Sequence, residues 1–180
     1  MRKTLYGSLV AVAIAGTAIG SLAIASGGGD RRVEAGPLSG YNEIPLTLST
    51  PGTGGFRATI DDEAQEIRYR LTYAATEGTV TQAHIHFGTK FVAAGIAVFL
   101  CSNLGNAPAG TQACPVAPAT ITGVIRPQDV IGPEGQGIAP GEFTEIVAAM
   151  RARATYVNVH TTKYPAGEIR AQIGDKHHRH

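Results

Sequence analysis

The chain has 180 residues, 43% of them hydrophobic and 16% charged, with a formal charge of +1 at neutral pH. That composition suits one domain with extensions and excludes an intrinsically disordered chain. There is no basic run and so no electrostatic footprint for nucleic acid.

The chain opens with MRKTLYGSLVAVAIAGTAIGSLAIAS, in which Arg2 and Lys3 precede an apolar run from Gly7 to Ile24. Ala23-Ile24-Ala25 is a small-x-small site. The pattern predicts a secretory signal peptide over residues 1–25, cleaved after Ala25. The alternative is an uncleaved anchor, since a run of about 18 residues is near the lower limit for spanning a bilayer. Both readings export the rest of the chain, to a periplasm, the cell surface or the medium. Residues 26–36, SGGGDRRVEAG, read as a flexible polar linker ahead of a domain spanning 37–174.

GFRATID and EIRYRLTYA are strand-like runs joined by the polar turn DEAQ. In the second, Ile67, Tyr69, Leu71 and Tyr73 alternate with Arg68, Arg70 and Thr72, the period of a sheet with one wet face. Asp61, Asp62 and Glu63 fall at the turn and read as surface residues, not as a catalytic carboxylate pair. VTQAHIHFG is the next strand, and GIAVFLCS, more continuously apolar, reads as a central one. Cys101 and Cys114 flank the polar loop SNLGNAPAGTQA. Outside the cytoplasm such a pair forms a disulfide; a pair of metal thiolates is the weaker alternative, because no Cys-x-x-Cys spacing occurs.

ATITGVIRP is a strand ended by Pro127, and GPEGQGIAPG is a loop. One amphipathic helix is predicted over about 142–153, with Phe143, Ile146, Val147 and Met150 as its apolar stripe. ATYVNVHT is a strand, TKYPAG a turn and GEIRAQIG the last strand. Residues 175–180, DKHHRH, read as a His-rich disordered tail whose His177, His178 and His180 could chelate metal loosely. The fold class is mostly β: a sandwich or barrel with short connections and one helix.

Strand alternation places His84 and His86 on one face with Gln82, and Ile85 on the other with Ala83 and Phe87. The apolar face belongs to the core, so the histidines are expected on the solvated outer wall, their α-carbons roughly 6.5 Å apart. His160 shares a face with Tyr156 and Asn158, opposite Val157 and Val159. If the two strands approach, His84, His86 and His160 form a three-imidazole site suited to copper or zinc. The alternative is that His-x-His is only a polar pair on a wet face. Glu43 and Asn158 could orient or supplement the ligands.

LSGYNEIP, QAHIHFG, the amphipathic helix and YVNVHT…YPAGEIRAQI follow one another in the order of the CHRD domain, which the chain resembles over about residues 37–173. The resemblance implies an all-β, immunoglobulin-like or Greek-key fold and says little about activity. AHIHFG also bears a weaker likeness to the His-x-His strand of copper/zinc superoxide dismutase. That likeness implies copper ligands at His84, His86 and His160, with Arg170 as an anion-steering residue beside the metal. With three histidines in the domain, a zinc subsite with its bridging histidine is missing, and a copper-only site is the most the likeness permits. The plainer reading of Arg170 is a surface strand residue paired with an acid such as Glu168.

Two function classes follow. The first is an exported copper or zinc protein, with superoxide dismutation as its catalytic extension. The second is a non-enzymatic module that binds an extracellular protein or supports the cell envelope. A homodimer fits either, through an exposed sheet edge or a shared metal. No Gly-x-Ser-x-Gly elbow, phosphate-binding loop or His-Glu-x-x-His motif favours a hydrolase or a nucleotide-dependent enzyme.

Overall fold

Alternating apolar and polar residues build a single antiparallel sheet that curls around their apolar side. The computed structural model describes residues 31–175; the expected signal peptide and tail residues 176–180 lie outside the described residues. The strands are β1 (Arg31–Ser39), β2 (Thr53–Asp61), β3 (Glu66–Ala74), β4 (Val80–Phe87), β5 (Ile96–Ser102), β6 (Ala119–Ile125), β7 (Thr155–Thr161), β8 (Ile169–Gln172) and β9 (Gly174–Asp175). Their order in the sheet is β5-β4-β7-β8-β1-β2-β3-β6, with β9 also paired to β1. Phe56, Ile60, Leu71, Ile85 and Val157 point inward and are buried. Helix α1 (Phe143–Arg151) adds Phe143, Ile146, Val147 and Met150 to the same core, the predicted stripe. The sheet rolls far enough that the Tyr69 hydroxyl on β3 donates to the Leu100 carbonyl on β5, at 3.0 Å. Among the described residues, the mostly-β expectation with one α-helix is therefore what the chain adopts.

Two boundaries differ from the sequence reading. Residues 31–36, expected to be linker, belong to β1, which pairs with β2 from Arg31↔Ile60 to Ala35↔Phe56. Only Val33, Ala35 and Leu38 are buried there, so the apolar signal is too thin to stand out from the glycines and charges before it. Backbone pairing on both sides holds the strand. Asp175, expected in the tail, pairs with Val33 in β9. The expected disulfide joins Cys101 to Cys114 across a separation of 13 residues.

β4 and β7 are adjacent, which sets the site. Both are buried on both faces, unlike β3. Their inner residues Ala83, Ile85, Val157 and Val159 meet the core. Their outer side is roofed by residues of segment 40–52, loop 88–95 and turn 162–168, which hydrogen-bond to the side chains beneath them.

Candidate metal centre

The register aligns His84 with Asn158, Gln82 with His160 and His86 with Tyr156. Side chains of paired residues share a face, so His160 lies diagonally from His84. The ring centroids are 4.8 Å apart for His84–His160, 5.3 Å for His84–His86 and 6.0 Å for His86–His160. Each ring offers one nitrogen, and these nitrogens lie within 4.8 Å of one another, so the group could hold a metal ion. The expected convergence of the three imidazoles is present.

Their expected exposure is not. His84, His86 and His160 are 0%, 7% and 6% exposed. Alternation correctly puts them opposite the core face, but the roof turns that face into a second interior. The Phe99 ring meets His84 edge-on at 4.5 Å, and Tyr156 stacks flat on His86 at 4.7 Å.

Hydrogen bonds fix two of the three tautomers. His86 Nδ1 lies 2.9 Å from the Ala94 carbonyl and His160 Nδ1 lies 3.0 Å from the Pro165 carbonyl. A carbonyl only accepts, so in each neutral ring Nδ1 carries the hydrogen and Nε2 keeps its lone pair. His84 Nδ1 faces His160 Nε2 at 3.1 Å and must donate to it in the metal-free protein. This leaves the Nε2 atoms of both His84 and His86 buried without a partner. Burial, followed by the fields of His160 and His86, pushes His84 down to about 2. Burial likewise pushes His86 down to about 4 and lowers His160, against hydrogen bonds to Ala94 and Pro165 that raise them. The three rings are therefore neutral at neutral pH, the form that binds metal.

The spacing nearly fits an ion. Two nitrogens each about 2.0–2.1 Å from a metal can be at most roughly 4.2 Å apart, so the widest pair would close by about half an ångström.

The remaining sequence candidates surround this group without joining it. Asn158 Nδ2 donates to Glu43 Oε2 at 3.4 Å, and both residues are buried. Burial raises the Glu43 carboxyl to about 7, only partly opposed by Arg170 and Asn158. Arg170 is 2% exposed, which corrects the surface-residue reading. Its Nη2 donates to the Thr89, Lys90 and Val92 carbonyls at 3.1, 3.3 and 3.0 Å, and its Cζ lies 3.4 Å from the Tyr156 ring centre. Glu168 is not its partner. That carboxylate accepts from the Thr50 and Thr161 hydroxyls and the Glu77 amide, at 2.7, 2.7 and 2.8 Å. Because β7 lies between β4 and β8, Tyr156 separates His86 from Arg170.

Sequence reasoning missed Tyr156 and loop 88–95. The Tyr156 hydroxyl accepts from the Ala94 amide at 3.1 Å, fixing the residue whose carbonyl orients His86. Its place in phase with Asn158 and His160 was the available signal.

No helix among the described residues is long and apolar enough to cross a membrane. No curated protein and no solved structure matches the chain. The CHRD domain model matches residues 35–173, nearly all of the described sheet, and the chain belongs to the CHRD domain family.

Proposed function

We propose that the chain is an exported CHRD-domain protein that binds copper or zinc through His84, His86 and His160. The observation that carries this reading is the pair of buried, unpartnered Nε2 atoms beside a third imidazole. An unsatisfied buried acceptor costs about 1–3 kcal/mol, and an ion offers both atoms a partner. The Ala94 and Pro165 carbonyls aim His86 and His160 in the manner of outer-sphere supports. Copper is favoured because it heads the divalent affinity order for nitrogen sites; zinc suits three imidazoles with a further ligand. The ion would supply Lewis acidity and, if copper, a redox couple. Export is supported by the N-terminal sequence pattern and by the disulfide.

Binding is favoured over superoxide dismutation. Turnover needs a path for the anion to the ion, whereas the rings are roofed and the Arg170 Nη2 is committed to loop carbonyls. A second reading, a protein-binding module, is supported by Tyr41, Leu46 and Phe91, which are 69%, 74% and 80% exposed on two of the three segments that form the roof.

The test is metal content. Protein carrying His177→Ala, His178→Ala and His180→Ala, to silence the tail, is loaded with copper or zinc, desalted and analysed by mass spectrometry. The reading expects about one ion per chain, lost in His84→Ala and in the gentler His160→Gln. A folded chain that retains neither metal at micromolar supply overturns it.

A further inference from the structure

The sheet leaves a gap between β8 and β1. β1 pairs with β9 at Val33 and Glu34 and with β8 only at Ser39, so the stretch between has no strand partner on that side. The register shift between Ala35 and Leu38 lies in this stretch. It is made by Gly36, at a φ of 152° that side chains resist, and by Pro37, which has no amide hydrogen to pair. The result is a concavity of about 470 Å³ whose lining includes Pro37, Ser39, Asn42, Lys90, Arg170 and Gln172.

The charge of this lining is one-sided. Lys90 and Arg170 contribute two cations, and no carboxylate lines the concavity. All three Arg170 hydrogen bonds leave from Nη2, so Nε and Nη1 keep their hydrogens. The carboxyl whose field reaches Arg170 is Glu43, which lies outside the lining, against Asn158. A guanidinium held in place by backbone carbonyls, with a flexible-stemmed lysine in the same lining, is a donor set that suits an oxyanion: a planar fork with a point charge within reach.

We propose that this concavity binds a small organic oxyanion, a carboxylate or a phosphate ester. The ligand bridges Lys90 on loop 88–95 to Arg170 on β8. It thereby ties the roof of the histidine layer to the strand beside it, through residues that are not among the three histidines. The site stands whether or not those histidines bind metal.

The experiment is isothermal titration of the whole, metal-free protein in EDTA, with sodium phosphate and sodium succinate as probes, at ionic strength matched by sodium chloride. Saturable binding of either probe is expected, weakened at least tenfold in Lys90→Gln. That variant keeps the backbone carbonyl that Arg170 uses and changes only an exposed side chain. Phosphate alone binding assigns a phosphate ester; succinate alone assigns a carboxylate. The proposal is overturned if neither probe binds above the chloride control, or if Lys90→Gln binds as tightly as the parent.

Discussion

Acidifying the metal-free protein from pH 7 to pH 5 probes the buried polar layer directly. His84 and His86 sit at about 2 and about 4 in the fold, against 6.5 for an ordinary imidazole. The unfolded chain takes up protons that the folded chain refuses. Their share of stability is therefore complete above 6.5 and is lost as the pH falls towards the folded values. Between pH 7 and 5 each loses about 2 kcal/mol, roughly 4 kcal/mol together. The lowered His160 adds loss in the same direction.

Glu43 works the other way. Burial lifts it from 4.5 to about 7, so the stability it gives is complete below 4.5 and disappears as the pH climbs through 7. Going down from pH 7 to 5 recovers about 2 kcal/mol and offsets about half of the loss from His84 and His86. Urea unfolding followed by circular dichroism at pH 7, 6 and 5, in EDTA, measures the balance. The parent protein should lose at least about 2 kcal/mol over the interval, and Glu43→Gln, which cannot titrate, at least about 4 kcal/mol. Equal losses in the two proteins would refute the opposing role of Glu43. No loss in either would refute a layer of buried neutral histidines.

Replacing Cys101 and Cys114 by serine reopens a loop with a separation of 13 residues. Chain entropy predicts a loss of roughly 3 kcal/mol, read as a lower urea midpoint that no longer responds to reductant. Gly167→Ala would place a Cβ 2.5 Å from Asn158 Nδ2 and 2.8 Å from Glu43 Oε2, at a φ of 130°. It should cost at least about 2 kcal/mol, and chemical denaturation at no more than a few tenths of that cost would contradict the close approach. Tyr156→Phe removes the acceptor of the Ala94 amide. Expect a loss of about 1 kcal/mol and faster hydrogen exchange at Ala94, with the amides of β2 unchanged.

Strands such as β2, β3, β4 and β7 were legible because they repeat apolar and polar residues at the period of a pleated sheet, and β5 because it is a short continuous apolar run. His84 and His160 could be matched for the same reason, since phase alone puts each opposite valine, isoleucine or alanine neighbours. What alternation does not encode is what lies over the second face. The roof is made of segments without periodicity, and its contacts span large sequence separations, as between Thr50 and Glu168 or Arg170 and Thr89. β1 was hidden by the opposite problem. Its apolar residues are few and broken by Gly36 and Pro37, and the strand exists because β2 and β9 complete its backbone bonds. Arg170 was noticed but misplaced: an arginine within a strand pattern reads as a surface residue, and the carbonyls of loop 88–95 and the Tyr156 ring make its burial tolerable.

β1 joins two halves of the sheet: β5-β4-β7-β8 on one side and β2-β3-β6 on the other. It is among the earliest described parts of the polypeptide, while β8 and β9 are the latest. The sheet thus works like a belt buckled by segments far apart in sequence. Neither half can be fastened to the other until residues 169–172 have been made, so a nascent chain stalled before residue 169 would hold an open sheet with a bare margin, exposed to chaperones and to wrong partners.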